Sequence, residues 1–280
     1  MPPPAPAPST VAIAVAPNGG RRLKKDHPAV PLTAMEMART AAACLEAGAA
    51  MLHMHVRDSN GRHLLDAEAY AEALAVVRAA TGRKLFLQIT TESLGTYRPR
   101  EQMAVVRSVR PEGVSLALRE LVPSAAAESA FAKFLGWLKS AQIMPQFILY
   151  NPAELDRLDE LCRRGLVPWE EPPVLIVLGR YTLGQTSAPE DLAPFFSAGH
   201  RRFAHTMVCA FGRNEAACAV AGAQAGADVR VGFENNLHLP DGRIAADNAA
   251  LVRATARALI ADGHKLASAE QLRARWELQR

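Results

Sequence analysis

The chain has 280 residues, 49% of them apolar and 21% charged, and its 32 basic and 28 acidic side chains leave a formal net charge of +4. Such a composition buries a sizeable core and excludes a disordered or fibrous chain, and no apolar run reaches the ~18 to 20 residues of a membrane-crossing helix. Cys44, Cys162, Cys209 and Cys218 are far apart with no CxxC pair, which excludes a zinc ribbon, gives no disulfide framework and points to a reducing, cytoplasmic setting.

Residues 1–10, MPPPAPAPST, cannot form a core and are expected to be a flexible, proline-rich tail. No basic stretch precedes the short apolar run at 11–16, so a secretory signal is not expected. From residue 11 to 280 the pattern is that of a single domain. Short β-branched or apolar runs fall at 11–16, 51–57, 84–89, 113–116, 144–149, 174–178, 202–207 and 228–232. Alanine-rich stretches with helical spacing lie between them. Thr33 with Glu36 makes a capping box for a helix that stops near Gly48. Asp66 opens a second helix that closes near Gly82, and Asn151 with Pro152 opens one that ends at Gly165. Similar units run over 214–226 and 247–263, and Ser268 with Gln271 opens a last helix.

Strands separated by helices are parallel strands joined by crossovers. Eight of them close an α/β (β/α)8 TIM barrel. An open doubly wound sheet is the competing architecture, but no GxGxxG follows the first run and no break in composition marks a second domain. The basic clusters at 21–25 and 201–202 come with few aromatics, so nucleic acid is not an expected partner.

The stretch MLHMHVRD, 51–58, carries the densest chemistry. Positions i and i+2 of a strand share a face, so His53 and His55 point the same way while Met54 and Val56 point to the other. Two imidazoles on a strand otherwise built for burial need hydrogen-bond partners or a metal. They are either core histidines bonded to carbonyls or two ligands of one ion. The stretch RVGFENN, 230–236, ends the eighth run. In a closed barrel strand eight borders strand one, and strand two lies on the far side of strand one. Glu234 can therefore approach His53 and His55 across the mouth, and two His with one carboxylate suit Zn²⁺, or less well a harder divalent metal. An ordinary polar turn is the alternative for Glu234.

The segments APNGGRRLKKDHPAVPLT (16–33), LEAGAAMLHMHVRDSNGR (45–62), LQITT (87–91), RPEGVSL (110–116), IVLG (176–179), VRVGFENN (229–236) and DNAALV (247–252) resemble the β-keto acid cleavage enzymes, as represented by 3-keto-5-aminohexanoate cleavage. The resemblance runs from about residue 11 to about 275. It implies a zinc-dependent TIM barrel, commonly a homotetramer, that takes a β-keto acid and acetyl-CoA to an acyl-CoA and acetoacetate. By this match His53, His55 and Glu234 hold the metal, and Thr90 and Ser115 are the small hydroxyl residues that contact substrate. Arg21 falls where amine-binding members place a glutamate, which implies a substrate whose distal group is anionic or neutral.

The chain also departs from the pattern. The family's proton-transferring Asp is here Asn235, beside a retained Arg230, and an amide is no general base near neutral pH. Glu92 and Glu120, in loops where the family has small residues, are the candidates to replace it, and Asn235→Asp is expected to raise turnover. The loop Gly179-Arg180-Tyr181-Thr182-Leu183-Gly184 lacks the family's paired glycines, which bears on the acyl-CoA side. Two further readings stand beside this one. An amidohydrolase-like metal hydrolase would carry its H-x-H after strand one, and a catalytically silent metal-binding relative would account for Asn235.

Overall fold

The computed structural model describes residues 10–197 and 199–277. Eight of the apolar runs become parallel strands: β1 (Ile13–Val15), β2 (Met51–Met54), β3 (Phe86–Ile89), β4 (Gly113–Ala117), β5 (Met144–Leu149), β6 (Val174–Leu178), β7 (Thr206–Ala210) and β8 (Asp228–Val231). They close into one barrel in chain order, with β8 paired to β1 and β1 to β2. This is the expected TIM barrel.

Alternation along each strand divides the apolar side chains between two cores. Ile13, Val15, Leu52, Met54, Leu87 and Ile89 face outward and pack beneath the helices. Ala12, Ala14, Met51, Phe86, Leu175, Val177, Met207 and Cys209 fill the lumen, so the barrel is a packed core and not a pore. The outer layer consists of α1 (Ala34–Glu46), α2 (Ala67–Thr81), α3 (Pro99–Val109), α4 (Glu128–Ser140), α5 (Pro152–Arg163), α6 (Glu215–Gln224) and α7 (Asn248–Ala261). The last helix, α8 (Ala269–Arg275), closes the bottom of the barrel. There Trp276 meets Phe86 edge-on, with ring centroids 5.1 Å apart. Arg273 anchors that helix by donating to the carbonyls of Arg83 and Leu85 and to Glu112.

Local chemistry explains the helix ends. Thr33 and Glu36 form the expected capping box, and Asp66, Asn151, Asp247 and Ser268 each cap through the side chain. Two expectations need correction. The seventh strand begins at Thr206 rather than at 202, because Arg201 and Arg202 turn outward to Glu171, Asp159 and the Phe196 carbonyl instead of joining the ladder. The crossover from β6 to β7 is a 3-10 helix, Pro189–Phe196, with Pro194 inside it, where an α-helix would lose a backbone donor. The proline-rich tail lies outside the described residues except for Thr10, which pairs with Lys265 in a short parallel ladder. No helix among the described residues is long and apolar enough to cross a membrane.

Candidate metal centre

At the C-terminal mouth of the barrel, where loops and strand ends build the sites of such folds, His53 and His55 project from the end of β2. Asn18, in the loop after β1, holds this strand end. Its amide nitrogen donates to the His55 carbonyl at 2.9 Å, and its oxygen accepts from the His55 N–H at 3.3 Å. A side-chain amide thus stands in for the strand neighbour that His55 lacks. Arg57 fastens the same loop by donating to the carbonyls of Asn18, Gly19 and Arg22, and ties it to the following hairpin by donating to the Gly61 carbonyl.

Glu234 arrives from the other direction by a tight turn after β8. Gly232 has φ +135°, and a Cβ there would meet the Ala16 carbonyl oxygen at 2.5 Å, so only glycine fits. The turn is closed by the Glu234 N–H donating to Ala16 at 3.0 Å and the Asn235 N–H donating to Gly232 at 2.8 Å. Phe233 goes into a pocket beneath, its N–H donating to the Asn248 side chain, and Glu234 is left facing the lumen.

The three side chains converge. His53 Nε2 and His55 Nε2 are 3.2 Å apart, and Glu234 Oε2 lies 3.6 Å and 3.5 Å from them. Ligands about 2.0 to 2.2 Å from a tetrahedral ion are separated by about 3.3 to 3.6 Å from one another, so the triangle has the dimensions of one face of a tetrahedral site. Among the described residues, these three form the cluster of ligating atoms close enough to share one ion. Glu234 Oε2 is buried and finds no hydrogen-bond partner, and two aimed imidazole nitrogens repel unless a proton or a cation lies between them.

Protonation state supports the same fit. Burial brings His53 down to about 4 and His55 to about 3, so both are neutral at pH 7, as ligands must be. Burial pushes the Glu234 carboxyl up, but Arg230 and the two imidazoles outweigh it and hold the group well below its usual range. His53 Nδ1 donates to Gln88 Oε1 at 2.7 Å, which leaves Nε2 free to ligate. Gln88 is in turn oriented by its own donation to Gln146 Oε1 at 3.1 Å, and Gln146 donates to the Met207 sulfur. This row of amides inside the lumen is support that the sequence reading does not include. The inward alternation of Gln88 with Phe86 and Thr90 is the signal that could have found it.

The remaining candidates divide by position. Glu92 enters the site, with Oε2 3.9 Å from His55 Nδ1, a buried nitrogen that has no hydrogen-bond partner, and with Oε1 3.4 Å from Arg180. Burial and the nearby Glu234 raise its carboxyl to about 7. Glu120 lines the same cavity, but its Oε2 accepts from the Ser93 N–H and the Gln102 amide, both at 2.8 Å. Thr90 lines the cavity and accepts from the Glu92 N–H at 2.9 Å. Ser115 lies one layer deeper beside Gln146, buried and outside the cavity lining. Arg21 is exposed on the rim of an outer cavity.

Arg230 is buried on β8 and spans the turn, with Nη2 3.2 Å from both Glu234 Oε1 and Asn235 Oδ1. Behind Asn235 stands Glu215, at the start of α6 and 2% exposed. Its carboxylate accepts from the Gly232 N–H at 3.0 Å and the Asn236 amide at 3.3 Å. Burial lifts it to about 8 against these donors, the facing Asn235 amide and Arg230. A buried acid therefore lies next to the position where an acid is missing.

Two cavities meet here. The inner one, about 20 Å³, is lined by His53, His55, Glu92, Arg180, Arg230 and Glu234 among others. The outer one, about 220 Å³, is lined by residues 18–22, Asp26, Gln185, Phe211 and again Glu92, Arg180 and Glu234.

A sequence profile of the family described as beta-keto acid cleavage enzyme matches residues 10–278. The 3-keto-5-aminohexanoate cleavage enzyme of Fusobacterium nucleatum is 24% identical over 261 residues, spanning 91% of this chain and 93% of that protein. The 3-oxoadipate:acetyl-CoA acetyltransferase of Cupriavidus necator is 26% identical over 271 residues, spanning 94% of this chain and 93% of that protein. In three dimensions the chain is similar to ObcA in its binary complex with oxaloacetate, with a TM-score of 0.67 at 18% identity over 90% of this chain and 68% of that one. At that identity the likeness speaks for the barrel fold.

Proposed function

This chain belongs to the beta-keto acid cleavage enzyme family, and from that premise we propose that it is a metal-dependent enzyme converting a β-keto acid and acetyl-CoA to an acyl-CoA and acetoacetate. The observation that carries the reading is the triangle of His53 Nε2, His55 Nε2 and Glu234 Oε2, with edges of 3.2 to 3.6 Å, in a cavity at the barrel mouth. Relatives named for acetyl-CoA-dependent transfer support the co-substrate. Zn²⁺ suits the donor set; a cytoplasmic homotetramer completes the reading.

A divalent cation at this triad, when bound, supplies Lewis-acid polarisation of the substrate ketone. The chain's own residues do the rest. Glu92 takes a proton from the carbon between ketone and carboxylate, because Glu234 belongs to the triad and Glu120 is engaged by two donors. The carbanion forms a C–C bond to the thioester carbonyl of acetyl-CoA, and CoA leaves as thiolate. The thiolate then adds to the original ketone carbon, the bond from that carbon to the former carbanion carbon breaks to release the acyl-CoA, and the carbanion left behind takes back the proton held by Glu92 to become acetoacetate. Buried Arg230 keeps Glu234 and Asn235 in place and contributes the positive field in which negative charge develops. Thr90 fixes the backbone of Glu92.

The test is to incubate purified protein, after elemental analysis and light scattering, with a panel of β-keto acids with and without acetyl-CoA. Loss of the keto acid that requires acetyl-CoA and yields acetoacetate one-for-one is the expected result. Loss without acetyl-CoA would favour a hydrolase, and no loss of any panel member would favour a silent relative.

Glu215 alters what is expected of Asn235. A new acid at 235 would face the Glu215 carboxyl, already raised to about 8 by burial, and the close pair would share one proton, so that neither ionises as an isolated acid would. Asn235→Asp alone is therefore expected to gain little, whereas Asn235→Asp with Glu215→Gln should exceed it about tenfold in kcat, on the scale of one displaced pKa unit. A single variant as active as the double would show that Glu215 does not oppose the new charge.

A further inference from the structure

Resting on the reading above, we propose that Arg180 selects β-keto acids bearing a distal carboxylate, by exchanging its ion pair with Glu92 for one with the substrate. Arg180 lies two residues beyond the end of β6, and its side chain is only 14% exposed. Its guanidinium lies 5.1 Å over the Phe211 ring and pairs with Glu92 through a single contact of 3.4 Å. The pair forms the wall between the inner and outer cavities, since both residues line each of them.

Volume makes the exchange necessary. An inner cavity of about 20 Å³ holds little more than one water, so a keto acid reaching the triad must displace side chains. His53 and Arg230 are buried and fixed by hydrogen bonds to Gln88, Glu234 and Asn235. The Glu92–Arg180 pair is less enclosed, and its contact is not bidentate. The Arg180 backbone is held in place: its carbonyl accepts from the Gln185 amide, and Thr182 closes the loop onto Gly179 and Thr186. The side chain moves and the loop does not.

A substrate carboxylate can meet the guanidinium with two parallel hydrogen bonds, which a single 3.4 Å contact does not match. Once displaced, Glu92 stays beside His55 and is free to face the reacting carbon. A substrate ammonium would leave Arg180 against a like charge. Arg21, on the exposed rim, has no such enclosure.

The experiment compares 3-oxoadipate with 3-oxohexanoate, which have the same chain length and differ in the distal carboxylate. In the wild-type protein kcat/KM should favour the diacid. In Arg180→Gln the diacid-to-monoacid ratio should fall 10- to 100-fold, the usual scale of a charge-assisted pair, and Arg180→Lys should recover part of it. Adipate binding by calorimetry reads the same contact without turnover, and it should weaken by a similar factor in Arg180→Gln. Equal loss on both substrates, unchanged adipate affinity, or a larger change of ratio in Arg21→Gln would overturn the assignment. Absence of turnover on either keto acid with adipate discrimination intact would instead reject the proposed reaction.

Discussion

His53→Ala is expected to empty the metal centre and to lower turnover on the order of 10³-fold while the barrel stays folded. In the proposed centre three side chains would hold the ion, and losing one would remove about a third of its protein donors along with the enclosure that orients the others. Glu234→Gln should act in the same direction, since an amide oxygen is a far weaker ligand for a divalent cation than a carboxylate. The stoichiometry of metal per chain, measured by elemental analysis beside a thermal melt, separates loss of the ion from loss of the fold. Gln88→Leu provides a graded companion. It leaves His53 in place but removes the acceptor that fixes its tautomer, and a 10- to 100-fold loss of metal affinity is the usual scale for such outer partners. Wild-type metal content in His53→Ala would remove the basis of the proposed centre.

Glu92→Gln is expected to lower kcat by about 10² to 10³, the usual contribution of a positioned general base, while metal content stays at the wild-type level. The amide keeps the size of the side chain and can still meet Arg180, so lost proton transfer is separated from lost packing. Glu120→Gln should have a smaller effect on kcat, because that carboxylate already accepts from Ser93 and Gln102. A Glu120→Gln variant impaired as deeply as Glu92→Gln would move the base to the neighbouring loop. Equal kcat in wild type and Glu92→Gln would place proton transfer elsewhere in the site.

Local periodicity carries most of the architecture. Runs of both-face-buried β-branched and apolar residues mark the strands, and Thr33, Asp66, Asn151 and Ser268 mark helix starts through side-chain caps that need no tertiary contact. The seventh strand starts later than its apolar run because Phe203 is as apolar and as buried as a strand residue, while its backbone stays outside the ladder. Helix α3 is not among the expected helices, although Pro99 at its first position and Glu101 reaching back to the Arg98 N–H are start signals.

The sequence by itself determined the barrel and the shared mouth at which His53, His55 and the turn carrying Glu234 lie. The first follows from eight alternating units. The second follows because period-two alternation turns both imidazoles to one face, and closure of a parallel barrel brings its eighth strand beside its first. Only the tertiary structure decided that Gly232 turns Glu234 into the lumen, that Glu92, paired with Arg180, rather than Glu120 reaches the triad, that Arg180 rather than Arg21 is enclosed at its entrance, and that Gln88, Asn18 and Glu215 support it. Loops have no repeating geometry from which a side chain's direction can be read, and the contacts that fix these residues join positions far apart in the chain, such as Glu215 with Gly232 and Arg180 with Glu92.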